Sequence, residues 1–265
     1  MRPNPDDTGL GRNRFERTVP GRIMRVKIRI TKYRAAEHPA FSLIELLTVI
    51  AIIGIIAALL LPVLSQAKRR AQQVQCVGNL HQLGIGLANF VADNHAYPSH
   101  FSGPNGDNPG PWELQLERGG FDNSKPKKNF WQVGVWNCPA AQGGPSGQSY
   151  GYNSFGSLRI GNLTNNFGLH GLWVSGSGMV PVAESAVVVP SDMMAIGESD
   201  SMDFGRSESY NFHHKVLRHQ NLSNVVFCDG HVESPTLQFL FEDTSDAALE
   251  RWNRDHLPHR EALSP

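Results

Sequence analysis

Ala40-Phe41-Ser42-Leu43-Ile44-Glu45-Leu46-Leu47-Thr48-Val49-Ile50-Ala51-Ile52-Ile53 opens an apolar run that continues to Leu64 with only Ser42, Glu45 and Thr48 polar. Taken as a helix, residues 41–64 rise about 36 Å, enough to cross a hydrocarbon core of roughly 30 Å. The run is too long for a cleaved secretory peptide, and no small-residue site follows it. Glu45 is out of place in an ordinary anchor. An acid costs roughly 2.5–3.5 kcal/mol at the centre of a membrane helix, less near its end, and calls for a cationic partner. The segment holds no cation, but a free amine made by cutting just before Phe41 would supply one, on the same chain or a neighbour.

Charge is distributed unevenly around this run. Residues 1–40 carry ten Lys/Arg against four Asp/Glu, a net +6, while residues 41–265 carry 14 against 20, a net −6. A basic head before an apolar span predicts a cytoplasmic N-terminus. The acidic remainder argues against a nucleic-acid partner, because phosphate binding needs clustered Lys and Arg.

In this combination the segment resembles the class III signal of type IV pilins and type II secretion pseudopilins. The resemblance implies cleavage between Ala40 and Phe41 by a prepilin peptidase, then N-methylation of Phe41 by the same enzyme. It implies that Glu45 neutralises the amine of an adjacent subunit during assembly, and that Pro62 sits where many pilins have a helix-kinking proline. Ala40 stands where the family prefers Gly. The implied location is the inner (cytoplasmic) membrane, crossed once, with the head exported to the periplasm or cell surface. The implied partners are the peptidase, other pilin-like subunits and the membrane. Residues 1–40 form the basic leader, of which 1–23 are expected to be a start-site artefact or a disordered tail, since Met24 offers a second start.

Past Pro62 the pattern changes. Residues 65–95 carry Val74, Val77, Leu80, Leu83, Leu87, Phe90 and Val91 at spacings of three and four, an amphipathic stripe ending near Asn94 ahead of Pro98. Gly84 and Gly86 weaken that helix by roughly 1 kcal/mol each relative to Ala, so close packing against a sheet is expected there. Residues 96–235 form a loop-rich head. Short β-type runs fall at Val133–Trp136, Leu169–Val174, Ala186–Val189, Met194–Gly197 and Asn224–Cys228. Asp229-Gly230 between two such runs is a hairpin signal. The predicted fold is α+β and pilin-like: a long N-terminal helix, half membrane-spanning and half amphipathic, on a small antiparallel sheet with long loops. Residues 236–265 form a tail with a short helix at Ser245–Arg254.

His219 and Asp229-Gly230 make an H-x9-DG pattern. Together with Cys76-Val77-Gly78-Asn79-Leu80, Trp136-Asn137-Cys138-Pro139 and Ser149-Tyr150-Gly151-Tyr152-Asn153 it resembles one branch of the prepilin-like proteins, a resemblance covering most of residues 40–235. His213, His214, His219, His231 and Asp229 match no metal-ligand spacing. A structural role is expected, with His219 bonded to loop backbone, and neither a metal nor another cofactor. Glu198, Asp200, Asp203 and Glu208 are expected to form a solvated acidic loop; major pseudopilins bind calcium in a C-terminal loop, but alternating oxygen ligands are missing here. Cys76 and Cys138 are a candidate disulfide across 61 intervening residues, and Cys228 a buried apolar residue.

The function these features imply is a non-enzymatic subunit of a type II secretion pseudopilus or type IV pilus-like fibre. Two rival classes remain open. One is a membrane-anchored module binding glycan or surface polymer, which an exposed platform of Trp112, Trp131 and Trp173 would favour. The other is a metal-dependent envelope enzyme, which needs the histidines to converge on a pocket.

Overall fold

The computed structural model describes residues 42–99, 111–117, 133–141, 147–157, 167–174, 178–206 and 218–263. The chain divides into two compact units, Met1–Ile52 and Ile53–Pro265. In the first unit the described residues are Ser42 and the opening of helix α1, which runs from Leu43 to Asn94 with Pro62 inside it. Pro62 has no N–H to give the Ala58 carbonyl, so one rung of the ladder is missing there.

In the second unit, the stretch of α1 from Cys76 to Val91 buries Cys76, Asn79, Leu80, Leu83, Gly84, Gly86, Leu87 and Val91. These recur at helical spacing and define one face. That face carries Leu80, Leu83, Leu87 and Val91 of the expected stripe, while Val74, at its start, is 72% exposed. Each fully buried leucine contributes roughly 1.5–3 kcal/mol.

The sheet against this face has four antiparallel strands in the order β1-β4-β5-β6: β1 (Tyr150–Tyr152), β4 (Met194–Glu198), β5 (Val225–Phe227) and β6 (Val232–Glu233). A bulge between Met194 and Ile196 shifts the β4–β5 register. A separate hairpin pairs β2 (Leu172–Val174) with β3 (Gly178–Val180). The fold is therefore the α+β, pilin-like arrangement of one long helix on a small antiparallel sheet.

Alternation along the strands sorts the core onto two faces. Tyr150, Tyr152, Ile196 and Val226 pack with Leu80, Leu83 and Leu87 of α1, and with Trp112 of α2 (Trp112–Leu116). Met194, Val225 and Phe227 instead pack with Phe204, Leu240 and Trp252. Leu240 belongs to α3 (Leu237–Phe241), and Trp252 ends a turn that follows α4 (Asp246–Leu249). The C-terminal tail thus has a structural task, covering the sheet face that α1 leaves open.

Two of the expected strands do not form. Gly134–Trp136 is a single tight helical turn that seats Trp136 in the core. Ala186–Val189 is irregular, with Val187 buried and Val188 63% exposed. A run of β-branched residues makes a strand only where a neighbouring edge pairs with it along its length, and here a lone long-range bond, Val188 N–H to the Arg254 carbonyl at 2.8 Å, reaches outside the segment among the described residues.

The hairpin at Asp229-Gly230 closes differently from a two-residue turn. Gly230 N–H donates to the Phe227 carbonyl and Phe227 N–H to the His231 carbonyl, both at 2.9 Å. Gly230 is at φ +91°, whereas Asp229 is not among the positive-φ residues. This is a three-residue loop with glycine in the bulge position, which asks for positive φ at one residue only. The loop lies on α1: a Cβ at Gly84 would come within 2.7 Å of Val226 Cγ2 and 2.8 Å of the Gly230 carbonyl oxygen. The absent side chain at Gly84 lets helix and hairpin touch.

Candidate functional site

Two regions carry the residues singled out above. The first is the start of α1. Ala40 and Phe41 lie outside the described residues. Glu45 Oε2 accepts from the Ser42 backbone N–H at 2.9 Å, and Ser42 Oγ accepts from Ile44 N–H at 3.4 Å. This reciprocal pairing is a capping box, which satisfies donors that a helix start leaves over. The carboxylate is thereby held at the Ser42 backbone, the first described residue.

Between Leu43 and Leu64 no side chain is buried, and the large apolar ones range from 46% exposed at Val49 to 87% at Leu43. A soluble surface does not present such a continuous apolar face without a partner or a membrane. Helix α1 is long and apolar enough to cross a membrane once.

The second region is buried in the head, where α1, the turn after Trp136, β4 and the segment before β5 converge. Cys76 and Cys138 are joined by a disulfide. In the chain-entropy model a loop of this length gives about 4 kcal/mol. Next to it His219 Nε2 lies 2.8 Å from Glu198 Oε1, with both side chains sealed from solvent. Cys138 Sγ is 3.5 Å from each of these two atoms. The remaining valences of Glu198 go to Asn224: its backbone N–H donates to Oε2 at 3.1 Å, and its side-chain Nδ2–H to Oε1 at 3.2 Å. Ser234 Oγ in turn donates to Asn224 Oδ1 at 2.6 Å. The ligand-type atoms of Cys76, Cys138, Glu198 and His219 all lie within 4.8 Å of one another, and all four residues are buried.

Several expectations are corrected by this geometry. His219 pairs with a buried carboxylate rather than with loop backbone. Glu198 belongs to no solvated acidic loop: it ends β4 and is wholly buried. Glu208 lies outside the described residues. His219 and Asp229 also serve separate ends, since Asp229 Oδ1 accepts from the His231 backbone N–H at 3.1 Å and contacts its Nδ1 at 2.6 Å. His213 and His214 lie outside the described residues. The aromatic platform loses Trp112, which is fully buried and stacked on Tyr152; Trp131 and the side chain of Trp173 lie outside the described residues. The sequence carried no signal for the Glu198–His219 pair. The two residues are 21 apart and come together only through the sheet.

A second buried acid lies on α2. Glu113 is 4% exposed, and Gln148 Nε2 donates to its Oε1 at 2.9 Å. Burial, reinforced by the negative charge of Asp203, raises its carboxyl to about 7.

Comparison with known proteins adds a partial likeness. Over 63 residues the chain is 36% identical to the type II secretion system core protein G of Escherichia coli (strain K12), covering 24% of this chain and 43% of that protein. The protein of the same name from Pseudomonas aeruginosa is 33% identical over 63 residues, 24% of this chain and 44% of its own length. The chain thus spans less than half the length of the curated relatives it matches. No family model and no solved structure matches it.

Proposed function

We propose that this chain is a pseudopilin-like subunit, processed between Ala40 and Phe41, methylated at Phe41, and assembled into a type II secretion pseudopilus or a pilus-like fibre. The observation that carries this reading is the opening of α1: residues 43–64 are helical, exposed at every position and apolar but for Glu45 and Thr48, with Glu45 the only charge. Burial of such helices against one another, or in lipid, is the outcome that surface demands. Ala51, Gly54, Ala57 and Ala58 let neighbouring helices approach closely, and nothing lies within 4 Å of a Cβ at Gly54. The likeness to the two secretion core proteins supports a structural, non-enzymatic role and partners drawn from a type II secretion machinery.

Cleavage before Phe41 turns an amide into an ammonium group three bonds along the chain from the Ser42 nitrogen whose N–H Glu45 holds. In a low-dielectric fibre core the carboxylate then faces a cation, on its own chain or the next subunit, and the pair fixes the stagger between helices. Capping and charge pairing are separated by Glu45→Gln, because a glutamine still closes a capping box but carries no charge. Processing is expected to proceed in this variant while incorporation into sheared or cross-linked fibres falls. Normal incorporation of Glu45→Gln with loss in Glu45→Ala would reduce the role of Glu45 to capping.

A further inference from the structure

Fibre assembly leaves the buried quartet Cys76, Cys138, Glu198 and His219 without a task beyond packing, yet its composition is that of a metal site. Two sulfurs, an imidazole nitrogen and a carboxylate oxygen meet within 4.8 Å. While the sulfurs are bonded to each other, neither is a thiolate. We propose that opening the Cys76–Cys138 bond converts this cluster into a zinc(II) site with two thiolates, His219 Nε2 and a Glu198 oxygen as ligands. The inference is independent of the fibre reading.

Distances favour it. Tetrahedral zinc, with Zn–S about 2.3 Å and Zn–N or Zn–O about 2.0–2.1 Å, places neighbouring ligand atoms about 3.3–3.8 Å apart. Cys138 Sγ already stands 3.5 Å from His219 Nε2 and 3.5 Å from Glu198 Oε1, and the latter two atoms are 2.8 Å apart. His219 Nε2 and Glu198 Oε1 open by about half an ångström to reach that spacing, and Cys76, whose sulfur lies within 4.8 Å of the other ligand atoms, resettles as the S–S bond opens.

The ligands are also held by contacts that do not depend on the disulfide. Asn224 fixes both oxygens of Glu198. Around Cys138, the Asn137 carbonyl accepts from Asn79 Nδ2 at 2.9 Å, and Asn137 Oδ1 from Ser149 Oγ at 3.1 Å. Gln72 Nε2 donates to the Pro139 carbonyl at 2.9 Å. Outer partners of this kind orient ligands and raise affinity.

Charge and softness select the ion. Two thiolates and a carboxylate around a divalent metal leave one negative charge, and a cation is anchored beside the site: Arg218 donates to the Ser149 carbonyl at 2.6 Å and to the carbonyl of Ser199, the residue after Glu198, at 3.0 Å. Thiolate and imidazole ligands suit zinc and disfavour calcium and magnesium.

The conversion is a two-electron reduction. A phosphine reductant takes oxygen from water to become its oxide; the S–S bond breaks, and Cys76 and Cys138 each gain a proton. Zinc then displaces the two thiol protons, and the hydrogen bond between His219 Nε2 and Glu198 Oε1 gives way to a bond from each atom to the metal. The covalent and metal ties join the same two segments, α1 and the turn at Cys138, and the head stays cross-linked in reducing and oxidising surroundings alike.

The test uses the full chain in detergent, reduced with a phosphine, stripped of metal and titrated with cobalt(II), then with zinc(II). The expected result is one cobalt per chain, with thiolate-to-metal absorption in the near ultraviolet and tetrahedral bands in the visible, both abolished by one equivalent of zinc. The unreduced chain gives neither, and Cys228→Ala gives both. Glu198→Gln weakens binding at least about tenfold. His219→Cys replaces nitrogen with a third sulfur and keeps binding while increasing the thiolate absorption by about half, which keeps the test open should His219→Ala fail to fold. Absence of these bands in the folded, reduced chain would overturn the proposal. So would a His219→Cys spectrum identical to wild type.

Discussion

His219 Nε2 and Glu198 Oε1 lie 2.8 Å apart with side chains 1% and 0% exposed, so the head is organised around a buried imidazole–carboxylate pair. Such a pair offsets the cost of its own desolvation only if the leftover valences are bonded. Asn224 and Ser234 meet that condition for the carboxylate. The histidine of the H-x9-DG pattern thereby ties the segment preceding β5 to the end of β4, while its Asp-Gly shapes the hairpin that follows β5.

Removal of one partner strands the other. His219→Ala is expected to destabilise the head by about 3–5 kcal/mol, read as a shift in the urea midpoint of the detergent-solubilised chain. A loss below about 1 kcal/mol, the worth of an exposed pair, would show that water reaches Glu198.

Gly84 makes a second sharp prediction. A methyl group there meets Val226 Cγ2 and the Gly230 carbonyl at 2.7–2.8 Å, and Gly84→Ala should cost about 1–3 kcal/mol. Gly78→Ala, on the same helix with nothing within 4 Å, should instead stabilise by up to about 1 kcal/mol through helix propensity. Equal effects from the two substitutions would mean that the hairpin does not sit on α1 at Gly84.

Glu113 predicts a pH dependence. Its carboxyl is raised from an ordinary 4.5 to about 7, chiefly by burial. Between those values the folded head keeps a proton that the unfolded chain has released. The stabilisation is complete below about 4.5 and is lost as pH rises through about 7, a fall of at most roughly 3 kcal/mol. Glu113→Gln should flatten the stability profile across this window and be more stable than wild type above pH 7. Unfolding midpoints at several pH values check the sign, and a wild-type profile that rises with pH here would contradict the assignment.

The elements legible in the sequence were those specified locally. The apolar run and the three-and-four spacing gave α1 to its end at Asn94. Met194–Gly197, Asn224–Cys228 and the turn between β5 and β6 announced themselves by alternation and by Asp-Gly. Other features depend on partners distant in the chain. Tyr150–Tyr152 is too short to show a period, and is a strand because β4 pairs with it. Val133–Trp136 has β-type composition but no edge to join. Val74 fits the apolar spacing of α1 yet stands 72% exposed, because burial follows the sheet's position and not composition alone. Glu198 resembled its acidic neighbours in sequence, and only the fold brings it to His219.

The intact mass and N-terminus of the chain isolated from its own host test the central claim most directly. The expected result is a protein beginning at Phe41 with a single methyl group on its amine. A chain that retains residues on the N-terminal side of Ala40 would contradict it, and α1 would then be an uncleaved anchor.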